Sequence, residues 1–119
     1  MRVWRFYKDN LLYFVMYRAF RSEWYESKLL NLDKSEYERV IKFEQSVKLN
    51  PYSGKPLGYK FFREKKFNGK RVIFLIYDEH KCVFFVTITD KKAQQNEIDL
   101  IKANLDVYKE EIDKRIRGL

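Results

Sequence analysis

Apolar residues along this chain change their spacing several times, and each spacing predicts a different element. The opening MRVWRFY alternates as a short strand does. After it, Asp9 or Asn10 can cap a helix on which Leu12, Val15, Met16, Ala19 and Phe20 recur at helical intervals. A second helix has stronger marks. Asp33 and Glu36 fit a capping box, Val40, Ile41 and Val47 share a face, and Pro51 stops the run after Leu49. From Asn50 to Gly58 the stretch NPYSGKPLG holds both prolines and two of the four glycines, which is loop chemistry.

Beyond that loop the period becomes that of strands. KFFREKKF, RVIFLIYD and CVFFVTIT are separated by Asn68-Gly69, the strongest short hairpin signal, and by Glu79-His80-Lys81. They predict an antiparallel meander, with the N-terminal strand added to the same sheet. Helical spacing then returns: Ile98, Ile101, Leu105, Tyr108, Ile112 and Leu119 form one stripe down a long helix, capped by Asp90 or Thr89. The expected fold is α+β: an N-terminal strand, two helices, a three-stranded meander completing one sheet, and a long C-terminal helix.

Composition narrows the function classes. With 119 residues, 45% of them apolar and 18% aromatic, residues 1–119 suffice for a single domain with one core. The single cysteine, Cys82, and single histidine, His80, leave no disulfide and no conventional metal cluster, so no cofactor is expected. Leu11 to Met16 is the longest apolar stretch, far short of the ~20 residues that span a bilayer. Neither a membrane segment nor a signal peptide is expected, and the chain reads as cytoplasmic.

Charge adds a location. The net charge is +8, and residues 59–71 alone hold six Lys or Arg against Glu64. Lys60, Arg63, Lys65, Lys66, Lys70 and Arg71 are interleaved there with Tyr59, Phe61, Phe62 and Phe67. Cations neutralise phosphates and aromatic faces stack on unpaired bases, so the pattern fits a polyanion such as RNA. It equally fits an edge strand guarded by lysines.

Strand parity then selects Arg71. It shares a face with Ile73, Leu75 and Tyr77, while Phe85, Thr87, Thr89 and Lys91 share one in the next run. If helices cover the apolar faces, Arg71, Thr87, Thr89 and Lys91 converge on the sheet's open side. There the Arg71 fork can hold a phosphate, although a cross-strand ion pair with Glu64 is the competing role. Glu64, kept ionised by its cationic neighbours, has the chemistry of a general base. Gln94, Gln95 and Asn96 offer amides for a base edge or a ribose. Cys82 reads as core packing and His80 as a turn residue.

The order of elements, with NPYSGKPL after the second helix and GKRVIFLIYDEHKCVFFVTI beyond it, resembles the RelE/ParE toxin superfamily over roughly residues 34–99. The resemblance implies a compact toxin held by an antitoxin protein, as a homodimer or a toxin–antitoxin hetero-oligomer. For the RelE branch it implies cleavage of messenger RNA on the ribosome. Arg71 falls on the family's arginine at the start of the middle strand. Lys65 and Lys66 fall in the basic strand before it, and Lys91 or Lys92 near the arginine after the last strand. Members commonly carry a Tyr or His shortly after that position, whereas Ala93 to Ile98 has neither. The ParE branch, which poisons DNA gyrase, shares the scaffold.

The expectation that results is an endoribonuclease toxin. Its catalytic residues are Arg71, Lys65, Glu64 and Lys91, and its RNA-binding residues are Tyr59, Lys60, Arg63, Lys66, Lys70, Lys92 and Gln95. A non-cleaving member or gyrase inhibitor is the alternative.

Overall fold

In the computed structural model, which describes residues 3–6 and 12–119, the chain opens with a two-stranded antiparallel hairpin of β1 (Val3–Phe6) and β2 (Leu12–Val15). There follow β3 (Arg18–Arg21), α1 (Glu23–Leu30), α2 (Lys34–Leu49), the short β4 (Lys55–Pro56), β5 (Phe62–Phe67), β6 (Lys70–Tyr77), β7 (Cys82–Asp90), α3 (Gln94–Ala103) and α4 (Leu105–Arg117). The main sheet has the order β3-β7-β6-β5-β4, with β3 parallel to β7 and the other pairs antiparallel. The meander is the one the alternation predicts. Asn68 and Gly69 both take positive φ, as a tight two-residue hairpin turn demands.

Two expectations fail near the N-terminus. The strand of MRVWRFY pairs within its own hairpin, and the main sheet recruits Arg18–Arg21 instead. The helix expected over Leu12 to Phe20 is replaced by two strands, and its proposed caps, Asp9 and Asn10, lie outside the described residues. Helical spacing of five apolar residues was outweighed by the free edge of β7, which offers backbone partners from Cys82 to Phe85. The first helix begins later, at Ser22. Its Oγ accepts from the Tyr25 amide at 2.9 Å and donates to the Val86 carbonyl at 2.6 Å, fastening the helix start to the sheet. In α2 the cap is as expected, since Asp33 accepts from the Glu36 amide at 2.8 Å.

The C-terminal helix is broken in two. Asn104 sits between α3 and α4 outside helical geometry, and its side-chain amide donates to the Leu100 carbonyl at 2.8 Å. The bend lets Ile98, Ile101 and Ile112 all reach the core, while Leu119 stays exposed.

Both faces of the sheet are covered. On one, Val72, Phe74, Ile76, Val83, Phe85 and Ile88 pack under Tyr25, Leu29, Val40 and Val47 of α1 and α2. On the other, Phe62, Ile73, Leu75, Tyr77, Cys82, Phe84 and Val86 pack under Ile98, Ile101 and Ile112 of α3 and α4. Burying each such side chain stabilises the fold by about 1.5–3 kcal/mol before entropy is counted. Buried Glu44 ties elements together: it accepts from Arg21 at 2.9 and 2.7 Å and from the Tyr25 hydroxyl at 2.8 Å.

Candidate functional site

The site is assembled by strand register. Lys66 pairs with Arg71, and Arg71 with Thr89, so the three lie side by side across β5, β6 and β7. The next row on that face is Glu64, Ile73 and Thr87. This face exists because of a bulge: Ile73 pairs with Thr87 but Phe74 with Phe85, leaving Val86 as an extra residue in β7. Simple alternation put Phe85 on the face of Thr87 and Thr89. The bulge reverses that, sending Phe85 to the α1/α2 core and joining Cys82 and Phe84 to the threonines' face.

Arg71, Thr87 and Thr89 do converge, but not on an open side. That face lies under α3 and α4, and Arg71 is 8% exposed, Thr89 4% and Thr87 0%. The last strand places Lys91 and Lys92 in the exposed turn that leads into α3, just past the rung of Lys70 with Asp90. Asp90 accepts from the Ala93 amide at 2.8 Å, so it shapes this turn rather than capping the helix.

Glu64 is the partner of Arg71. Its Oε2 stands 3.7 Å from Arg71 Nε and accepts from Gln94 Nε2 at 2.6 Å. At 2% exposure it is enclosed by strand and helix. Arg71 donates weakly from Nη1 to the Gly69 carbonyl at 3.4 Å. Its Nε is, among the described residues, the one buried side-chain polar atom with no hydrogen-bond partner. A second polar link lies beside it: Glu97 accepts from Thr87 at 2.8 Å and from Lys28 at 2.6 and 2.8 Å, joining α1, β7 and α3. A cavity of about 310 Å³ opens there, lined by Lys28, Lys70, Thr89, Asp90, Ala93 and Glu97 among others.

The remaining sequence candidates divide. Lys66 is exposed on the Arg71 face. Lys70 pairs with Glu36 of α2 at 3.0 Å. Lys65 lies on the opposite face, its Nζ 3.3 Å from Ser46 Oγ and 5.6 Å from the centre of the Phe43 ring. Arg63 also points that way and clamps the preceding loop, donating to the carbonyls of Lys60 at 2.8 Å, Tyr52 at 3.1 Å and Gly54 at 2.7 Å. Gln95 turns outward to Asp99 at 2.9 Å.

Tyr59 and Lys60 stand at the other end of the sheet. The Phe61 carbonyl accepts from the Ile76 amide at 2.8 Å, far along β6 from Arg71. From Phe61 to Lys66 the strand advances about 17 Å at its usual rise. Tyr59 stacks on Phe61 with ring centres 5.1 Å apart, beside a cavity of about 500 Å³ lined by Tyr52, Lys60, Phe61, Tyr77, Asp78 and Lys109 among others. Residues 59–71 are therefore two surfaces, not one.

Lys66 entered only with the basic run of residues 59–71, whereas alternation along β6 put Arg71 on the face of Ile73 and Leu75, as the register has it. Alternation missed Gln94 as the partner of Glu64, and Lys28 and Glu97 entirely, because these come from helices whose placement no local pattern encodes. Among the described residues no cluster of His, Cys, Asp and Glu could hold a metal, and no helix is long and apolar enough to cross a membrane. Burial pushes the Cys82 thiol up to about 11, which suits packing rather than nucleophilic chemistry.

No protein-family model matches the chain, and no curated protein matches it. Solved structures do. A chain of the RelBE toxin–antitoxin complex from Mycobacterium tuberculosis aligns with a TM-score of 0.58 at 21% identity, covering 65% of this chain and 93% of that one. A variant of the E. coli toxin RelE in the free state aligns with a TM-score of 0.61 at 19% identity, covering 71% and 90%. A chain of the archaeal RelE–RelB complex from Pyrococcus horikoshii OT3 aligns with a TM-score of 0.57 at 18% identity, covering 65% and 97%. On these alignments the chain has the RelE toxin fold.

Proposed function

We propose that this protein is the toxin of a toxin–antitoxin pair and that it cleaves messenger RNA on the ribosome. The supporting observation is the row of Lys66, Arg71 and Thr89, with Lys91 and Lys92 at its rim. In the reaction, the ribose 2′-hydroxyl gives its proton to solvent as its oxygen bonds to the scissile phosphorus, while the bond to the 5′-oxygen breaks and that oxygen takes a proton from solvent. A 2′,3′-cyclic phosphate and a 5′-hydroxyl end result. Negative charge grows on the phosphoryl oxygens, and a preset guanidinium stabilises it without reorganising. Arg71 takes that role, while Lys66, Lys91 and Lys92 bind the backbone.

Glu64, enclosed and shared between Gln94 and Arg71, orients the arginine rather than taking a proton from substrate. Lys65, on the far face, makes no contact with the phosphate in this reading. An antitoxin is the expected protein partner, since RelE chains of this fold occur in complex with RelB.

The test is purified protein on ribosomes carrying a defined message, with RNA ends mapped. New ends in the decoding site are expected, and Arg71→Ala should lower their rate about 10²-fold or more. Unchanged cleavage by that variant would remove Arg71 from the mechanism. The absence of Tyr or His from Ala93 to Ile98 favours a second reading, a binding module that does not cleave. No new ends, with inhibition of gyrase supercoiling, would select it.

A further inference from the structure

Arg71 and Glu64 are opposite charges on adjacent buried strands, yet they do not close into a hydrogen bond. A free guanidinium–carboxylate pair settles at about 2.7–2.9 Å, whereas Glu64 Oε2 stops 3.7 Å from Arg71 Nε. The same Oε2 accepts from Gln94 Nε2 at 2.6 Å. Gln94 is the first residue of α3, and Ile98 and Ile101 anchor that helix in the core, so the amide is fixed by packing rather than by the pair itself.

We propose that Gln94 is a positioning residue that holds the Glu64 carboxylate off Arg71, so that the buried Nε–H stays unpaired and the guanidinium is not locked by a carboxylate when a phosphate reaches its outer edge. The consequence rests on the RNA reading above, but the geometry does not. Glu64 still supplies the field that orients the guanidinium, and Gln94 keeps it from capturing the donor. Without the amide, Glu64 has no other hydrogen-bond donor among the described residues and closes onto Arg71. The site then inhibits itself, because an incoming phosphate must displace a buried carboxylate.

The wild type, Gln94→Met, Glu64→Gln and the double variant test this, with two further variants as controls. Gln94→Ala repeats the first substitution without added side-chain bulk. One readout is the Arg71 Nε–Hε signal by nitrogen-15 NMR, assigned by its loss in Arg71→Lys. The other is the affinity for a short oligonucleotide lacking the 2′-hydroxyl, which binds without being cleaved. Gln94→Met should shift the Nε–H signal downfield, slow its exchange and weaken binding about tenfold. Adding Glu64→Gln should return binding to within about threefold of the wild type.

The proposal is overturned if Gln94→Met leaves the Nε–H signal unchanged, if the signal shifts but Gln94→Met binds the oligonucleotide as tightly as a wild type that binds it, or if the double variant stays as weak as the single. Should the wild type not bind the oligonucleotide while Gln94→Met still shifts the signal, the RNA reading fails and the positioning role stands.

Discussion

The two faces of the sheet are built to different rules. Under α1 and α2, the strand residues from Val72 to Ile88 that point inward are all apolar, and every one is at most 4% exposed. Under α3 and α4 the half around Ile73, Leu75 and Phe84 follows the same rule, but the half around Arg71 does not. There Glu64, Arg71, Thr87 and Thr89 are buried together and meet Gln94 and Glu97. Burying such groups costs several kcal/mol per ion unless each finds partners, and an apolar layer would serve stability as well. The contrast separates residues that hold the fold from residues that the fold holds.

The sharpest way to break the comparison is a cavity on the apolar face. Phe74→Ala, at a position with 0% exposure, should destabilise by about 3–5 kcal/mol in denaturant titration. If the loss is no larger than for a polar substitution on the other face, the division is wrong. Next in size is Gly54→Ala. A Cβ there would stand 2.8 Å from the Glu64 carbonyl and 3.1 Å from the Phe74 ring, so loop and sheet must separate, at about 1–3 kcal/mol.

On the polar half the expected sign differs. Replacing the pair together, as Glu64→Leu with Arg71→Met, should keep stability within about 1 kcal/mol of the wild type or raise it. RNA cleavage by that double variant should vanish, read on the same programmed ribosomes. A large destabilisation would mean that the pair is part of the core after all.

A smaller effect concerns the far end of the sheet. Burial alone would raise the Asp78 carboxyl, but hydrogen bonds from Tyr52 and Tyr17, aided by Lys81 and Lys60, outweigh it and hold the group below its ordinary 3.8. Because the folded value is depressed, its stabilisation is present above pH 3.8 and is lost as pH falls through the folded value. Asp78→Asn should therefore flatten the melting temperature against pH below about pH 4 and leave it parallel to the wild type above. The smallest effect belongs to the solvated surface. Lys114→Ala, which removes an exposed pair with Glu110 at 3.4 Å, should change stability by no more than about 0.5 kcal/mol.

Much of this molecule is legible in its sequence wherever neighbours in the chain are neighbours in space. Asp33 caps α2, Asn68-Gly69 turns the hairpin, and alternation along β6 puts Arg71 on the face of Ile73 and Leu75. These depend on backbone stereochemistry acting over a few residues. Arg18–Arg21 became a strand because a distant edge of β7 needed partners, against a local helical spacing. The bulge at Val86 changed which residues of β7 face which core, and nothing in CVFFVTIT announces it. Segment 59–71 likewise read as one basic surface, but a strand displays its ends about 17 Å apart and its neighbours on opposite sides. The sequence by itself determined the meander, the second helix and the face of β6 on which Arg71 lies. Only the tertiary structure brought Gln94 to the pair of Arg71 with Glu64 that the sequence already offered, because that meeting depends on where a helix from a later part of the chain comes to rest.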